Sequence, residues 1–165
     1  MRWLILFFTH VSLYWSTSYY CGHVTGSLSN KEIIPLVSFN QLLSMAWYPL
    51  LIYIPMAPLN IYTLPVEVAE ILVVYGLIFG ALHSLVHDYK PLWWIHDIHH
   101  SLVIPTPSGA FYAHPAEHLL VNIGTVIYTM LVCTLVLPLS FEAIYVFTVI
   151  GSINTVFAHR AGTYH

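Results

Sequence analysis

Long apolar stretches separated by short polar ones dominate the chain. Five approach the roughly 20 mostly apolar residues that a bilayer-crossing helix needs: residues 3–20, 33–54, 66–82 running on to 87, 119–137 and 139–158. The first is diluted by Thr9, His10, Ser12, Ser16, Thr17 and Ser18, and reads either as a span or as a signal-like segment. Pro49 and Pro55 interrupt the second, which reads as one span or as two half-helices. Only Pro138 separates the last two, so they form a tight helical hairpin. Between the third and fourth stretches, Pro91 suits a helix start and Trp93 and Trp94 suit a membrane–water interface. This predicts a short interfacial helix over 91–101, then an irregular loop at Pro105 and Pro107. The run His114-Pro115-Ala116-Glu117 predicts the start of the next helix, with Glu117 in a first turn where negative charge is favoured.

Composition fixes the class. The 165 residues suit one domain, are 58% hydrophobic and only 7% charged, and have a mean hydropathy of +0.76. Soluble domains carry about 25% charged residues. The predicted fold is therefore all-α: a polytopic transmembrane bundle of four to five spans. A net charge of −3 with four Lys+Arg offers no footprint for nucleic acid. Cys21 and Cys133 suggest no disulfide framework. With five spans, Lys31, Lys90 and Arg160 emerge on one face and Arg2 on the other, which places segments 83–118 and 159–165 on the cytoplasmic side.

Those segments hold nine of the eleven histidines. The pattern is His83-x-x-x-His87, His96-x-x-His99-His100, His114-x-x-x-His118 and a later His159. Helical residues four apart share a face, so His83 projects with His87, and His96 lies over His99 and His100. His83 and His87 alone fit either a metal site or a hydrogen-bonded pair closing a span. With His96, His99 and His100 beside them, five imidazoles are available to one site. One structural zinc needs four ligands, whereas a two-metal centre needs more. His159 leaves the last span on the same face. His114 reads as a helix cap and His118 as an interfacial polar residue, with metal ligation the lesser alternative for both. His10 and His23 read as helix-end or loop residues, and His165 has no assignable place.

The boxes His83-Ser-Leu-Val-His87 and His96-Asp-Ile-His99-His100, with Ile104-Pro-Thr-Pro107 and Tyr112-Ala-His114-Pro115-Ala-Glu117, resemble the fatty acid hydroxylase / sterol desaturase superfamily. The likeness covers roughly 66–165 and divides the chain into N-terminal membrane helices (1–65) and a hydroxylase/desaturase-like domain (66–165). It implies a membrane-bound, O2-dependent oxidoreductase that hydroxylates or desaturates a lipid, a sterol or a fatty acyl chain, at two non-haem iron ions. The implied metal ligands are His83, His87, His96, His99, His100 and His159. Electrons would come from NAD(P)H through a b-type cytochrome or equivalent electron-transfer protein. His114 and Glu117 would act in structural or supporting roles. For a eukaryotic chain the implied membrane is the endoplasmic reticulum. The superfamily carries a further His-x-x-His-His box beyond the position of His159, whereas this sequence stops six residues after it. Three expectations follow: a fragment of a working oxygenase, a degenerate non-catalytic member of the fold, or ligands supplied by another chain. A zinc-dependent membrane hydrolase is the remaining rival.

Overall fold

The computed structural model describes residues 2–22, 30–45, 48–102 and 109–159. His23, the Pro105/Pro107 loop, Arg160 and His165 lie outside the described residues, as does the side chain of Lys31. The described chain is all-helical: α1 (Arg2–Gly22), α2 (Asn30–Ser44), a 3₁₀ helix (Tyr48–Tyr53), α3 (Leu64–Asp88), α4 (Lys90–His100), α5 (Pro115–Val136) and α6 (Phe141–Ala158).

Among the described residues, three helices are long and apolar enough to cross a membrane: α3, α5 and α6. They correspond to the third, fourth and fifth expected stretches. The first expected stretch is helical, but its hydroxyl and imidazole positions keep it out of that group. The second is not one helix. Pro49 has no N–H to continue the helical ladder and disfavours helix in the residue before it, so α2 ends at Ser44 and a 3₁₀ turn follows. The spans are apolar outward, with Val73, Leu77, Leu131 and Leu135 exposed, while Thr125, Thr129, Thr148 and Ser152 are buried. That inversion of the soluble pattern suits helices whose solvent is hydrocarbon.

Three contacts in step set the direction of α1 along α6. The Arg2 guanidinium lies over the Phe141 ring at 5.3 Å, His10 meets Ser152, and Tyr14 shares a buried cluster with Val156. The two helices run parallel. At the Arg2 end, the buried Glu67 carboxylate ties α3 to the α5–α6 turn. Its Oε2 accepts from Ser140 N–H (2.8 Å) and Oγ–H (2.6 Å), and its Oε1 accepts from Thr63 (2.6 Å). Ser140 also caps α6, its Oγ accepting from Ala143 N–H at 3.2 Å. At the other end, the close of α3, all of α4, the start of α5 and the close of α6 converge, and the histidines lie there.

Candidate metal centre

Each histidine reaches the site by a local rule. His83 and His87 stand one turn apart on the last turns of α3, with their Nε2 atoms 3.2 Å apart. Tyr89 breaks the helix, and Pro91 opens α4 at its second position. This turns His96 back onto α3, so its Nε2 lies 3.0 Å from that of His87. His100, one turn on, brings its Nε2 to 2.9 Å from that of His96. The rings of Phe79 and Trp93 stack against His83 and His100. Imidazoles sharing one ion at about 2.0–2.1 Å have nitrogens about 2.9–3.4 Å apart. The His83–His87 and His87–His96 distances fall in that range. The ligand nitrogens of His83, His87 and His96 all lie within 4.8 Å of one another, and His100 reaches the group through His96.

His99 faces elsewhere. Its ring stacks 5.8 Å from His96, but its Nε2 points at Nε2 of His159, 60 positions along the chain and 3.4 Å away. His96 does lie over both His99 and His100, as the spacing predicts, but only His100 brings its Nε2 to that of His96. The six imidazoles form a mutual group of three (His83, His87 and His96), His100 beside His96, and an adjoining pair.

Hydrogen bonds to the outer nitrogens fix the tautomers. A carbonyl only accepts, so His99 donates Nδ1–H to Tyr112 O (3.0 Å) and His159 donates Nδ1–H to Thr155 O (2.8 Å). Both Nε2 atoms therefore carry lone pairs. His96 sets its Nδ1 against Oε1 of the buried Glu117 carboxyl at 2.7 Å, which turns its Nε2 toward His87 and His100. Burial, then the neighbouring imidazoles, lowers His96 to about 3. Burial and then His159 lower His99 to about 4, against the raising effect of the Tyr112 carbonyl. Burial also lowers His100 and His159. All four are neutral near pH 7.

This donor set fits a metal. Facing lone pairs on His99 and His159 cannot hydrogen-bond to each other, but a cation between them satisfies both. Among the described residues, Glu117 Oε2 is buried without a hydrogen-bond partner, a deficit that positive charge on the adjacent histidine site would relieve. Carboxylate and carbonyl partners on the outer nitrogen are the usual support of metal-bound histidine.

A cavity of about 970 Å³ leads away from these histidines. Its lining runs from His83 back along α3 to Leu72 and from His159 back along α6 to Phe147, about 16–18 Å of helix axis. Tyr75, Phe79 and Val121 make much of the wall apolar.

His114 caps α5, its Nδ1 accepting from Ala116 N–H at 3.1 Å, as its place before Pro115 predicts. His118 is not interfacial. It is fully buried, its Nε2 3.0 Å from Ser44 Oγ and its Nδ1 3.1 Å from Asn122 Nδ2. His10, assigned from sequence to a helix end, lines the cavity. Its only sequence signal was a polar residue in an apolar helix. Ser44, Asn122 and Ser152 carried no signal, because the contacts that bring them to the wall are distant in the chain.

Residues 68–165 match the family described as fatty acid hydroxylase. No solved structure matches the chain.

Proposed function

The chain belongs to the fatty acid hydroxylase family, and from that premise we propose that it is a membrane-bound, O2-dependent oxidoreductase that hydroxylates or desaturates a sterol or fatty acyl chain. His83, His87 and His96 would hold one iron ion with His100 beside them, and His99 and His159 would contribute to a second. The observation that carries the reading is the pair of lone pairs that His99 and His159 turn toward each other, each held by a carbonyl behind it. The chemistry supplied when iron is bound is activation of O2 to remove hydrogen from an unactivated C–H bond.

The protein's own residues bind, orient and shield. Glu117 and the Tyr112 and Thr155 carbonyls hold His96, His99 and His159 with Nε2 inward. Phe79 and Trp93 pack against the imidazoles of His83 and His100. The elongated cavity accepts an apolar chain among the spans, so the substrate need not leave the bilayer. The domain division at residues 65 and 66 follows the same reading. On the spans expected from sequence, Lys31, Lys90 and Arg160 fall at the histidine end against Arg2 alone at the other, an excess that supports a cytoplasmic site. There a b-type cytochrome or equivalent carrier would deliver electrons from NAD(P)H, in the endoplasmic reticulum of a eukaryotic cell.

The test is oxidation of membrane lipids by the full chain, supplied with NADPH, its reductase, a b-type cytochrome and isotopically labelled O2. Mass spectrometry should find an oxygenated or dehydrogenated lipid, absent without O2. His99→Ala or His100→Ala should abolish it; retained turnover in either variant rejects the ligand assignment.

A further inference from the structure

If a lipid is oxidised at the histidine cluster, something must fix which carbon lies there. The wall of the cavity deeper among the spans carries one imidazole with an acceptor to spare. His10, on α1 and outside the residues that match the family, places Nδ1 2.8 Å from Ser152 Oγ. Ser152 has one hydroxyl proton, and it goes to Thr148 O at 2.7 Å. Ser152 must therefore accept from His10, which fixes the proton on Nδ1 and leaves a lone pair on Nε2. Among the described residues that lone pair has no hydrogen-bond partner, and His10 lines the cavity. Phe111 packs edge-on to its ring at 5.5 Å and Tyr14 stacks beside it at 6.5 Å.

The same reasoning removes His118. Ser44 donates to Asn40 O at 3.2 Å, so it accepts from His118 Nε2–H, while Asn122 Nδ2 donates to His118 Nδ1. Both nitrogens are used within the protein. The described lining contains neither Lys nor Arg, and its one acid, Glu117, is engaged with His96. A carboxylate or phosphate headgroup would find no countercharge. An uncharged donor, a hydroxyl, finds a waiting acceptor.

We propose that His10 Nε2, set in its acceptor form by Ser152, binds the hydroxyl of an uncharged lipid and so selects the carbon presented to the cluster. This rests on the lipid-oxidising reading for its purpose, but not for its binding geometry. Ser152 and His159 are seven residues apart on one face of α6, about 10 Å of helix axis. The recognised hydroxyl and the oxidised carbon are therefore different parts of the molecule.

Native mass spectrometry of the metal-free full chain, released from detergent, tests this with hexadecan-1-ol and with cholesterol, each against its O-methyl ether. One alcohol should bind about tenfold better than its ether, which cannot donate; which one does so distinguishes a long-chain alcohol from a sterol. His10→Gln, which keeps an acceptor, should retain most of the preference, and His10→Phe should reduce it below about twofold. If His10→Phe fails to fold, Ser152→Ala should cut the preference at least about threefold by freeing the tautomer. Equal binding of alcohol and ether, preference surviving in His10→Phe, or hexadecanoate binding as well as either alcohol would overturn the proposal. A His96→Ala chain should keep the alcohol preference. A chain with that preference but no iron would refute the oxidative reading and leave this subsite standing.

Discussion

At the scale of single residues, the site is defined less by how many histidines it has than by where their protons sit. Two outer nitrogens donate to fixed carbonyls, so the inner nitrogens of His99 and His159 are acceptors before any metal arrives, while His96 rests its Nδ1 against the Glu117 carboxyl. Glu117 is the carboxyl member of that outer set. Glu117→Ala should weaken iron binding about 10–100-fold, and Glu117→Gln, which can still accept from His96, by less. Titration against a competing chelator measures this, and unchanged affinity in Glu117→Ala would contradict the orienting role. The lowered pKa values of His96 (about 3) and His99 (about 4) have a second consequence. An unfolded histidine titrates near 6.5, so below that pH the unfolded chain takes up protons that the folded site refuses. The stability these neutral imidazoles contribute is complete above about pH 6.5 and is lost as pH falls toward 4 and 3. Thermal unfolding of the metal-free protein should be level above about pH 7 and fall on acidification, more steeply than in a His99→Gln variant. A melting temperature that rose in acid would contradict the sign.

At the scale of elements, much was legible. The i, i+4 boxes on α3 and α4, the proline that opens α4, the His114 cap and the proline-marked α5–α6 turn all follow from local rules. Two features did not. Within α5, residues His118–Ile123 form a π-helical segment. Its wider turn shifts the helical phase, so His118 turns into the core; side-chain periodicity assumes one pitch and cannot announce this. Asn40 donates to Phe111 O (2.9 Å) and Ala113 O (2.8 Å), pinning α2 to the cavity wall across more than 70 residues. Such a tie has no sequence signature. Ser140 tests the element scale most simply, because it caps α6 and supplies two hydrogen bonds to buried Glu67. Ser140→Ala should cost about 1–3 kcal/mol, seen as a lower melting temperature in detergent, with iron content at the far end unchanged. An unaltered melting temperature would mean the cap and the bond to Glu67 contribute nothing.

At the scale of the whole molecule, composition identified a helical membrane protein, and the apolar runs located α3, α5 and α6. The division of labour among the helices was not legible. Hydropathy grouped α1 and α2 with the spans, whereas their polar residues Trp15, Asn40, Gln41 and Ser44 serve contacts inside the protein, including a 2.6 Å bond from Trp15 Nε1 to Gln41. Nor could spacing alone separate His99 from His96 and His100, because that depends on the end of α6 arriving beside α4. The bundle gathers four helix ends at one level, and only this convergence makes ordered boxes into one centre with a lipid-sized cavity behind it. The most direct test is the iron content of the purified full chain after anaerobic reconstitution with Fe(II). The wild-type chain should retain iron through gel filtration, and His96→Ala, which removes the nitrogen between His87 and His100, should lose most of it. A wild-type chain that holds no iron, or a variant that holds as much, would contradict the account.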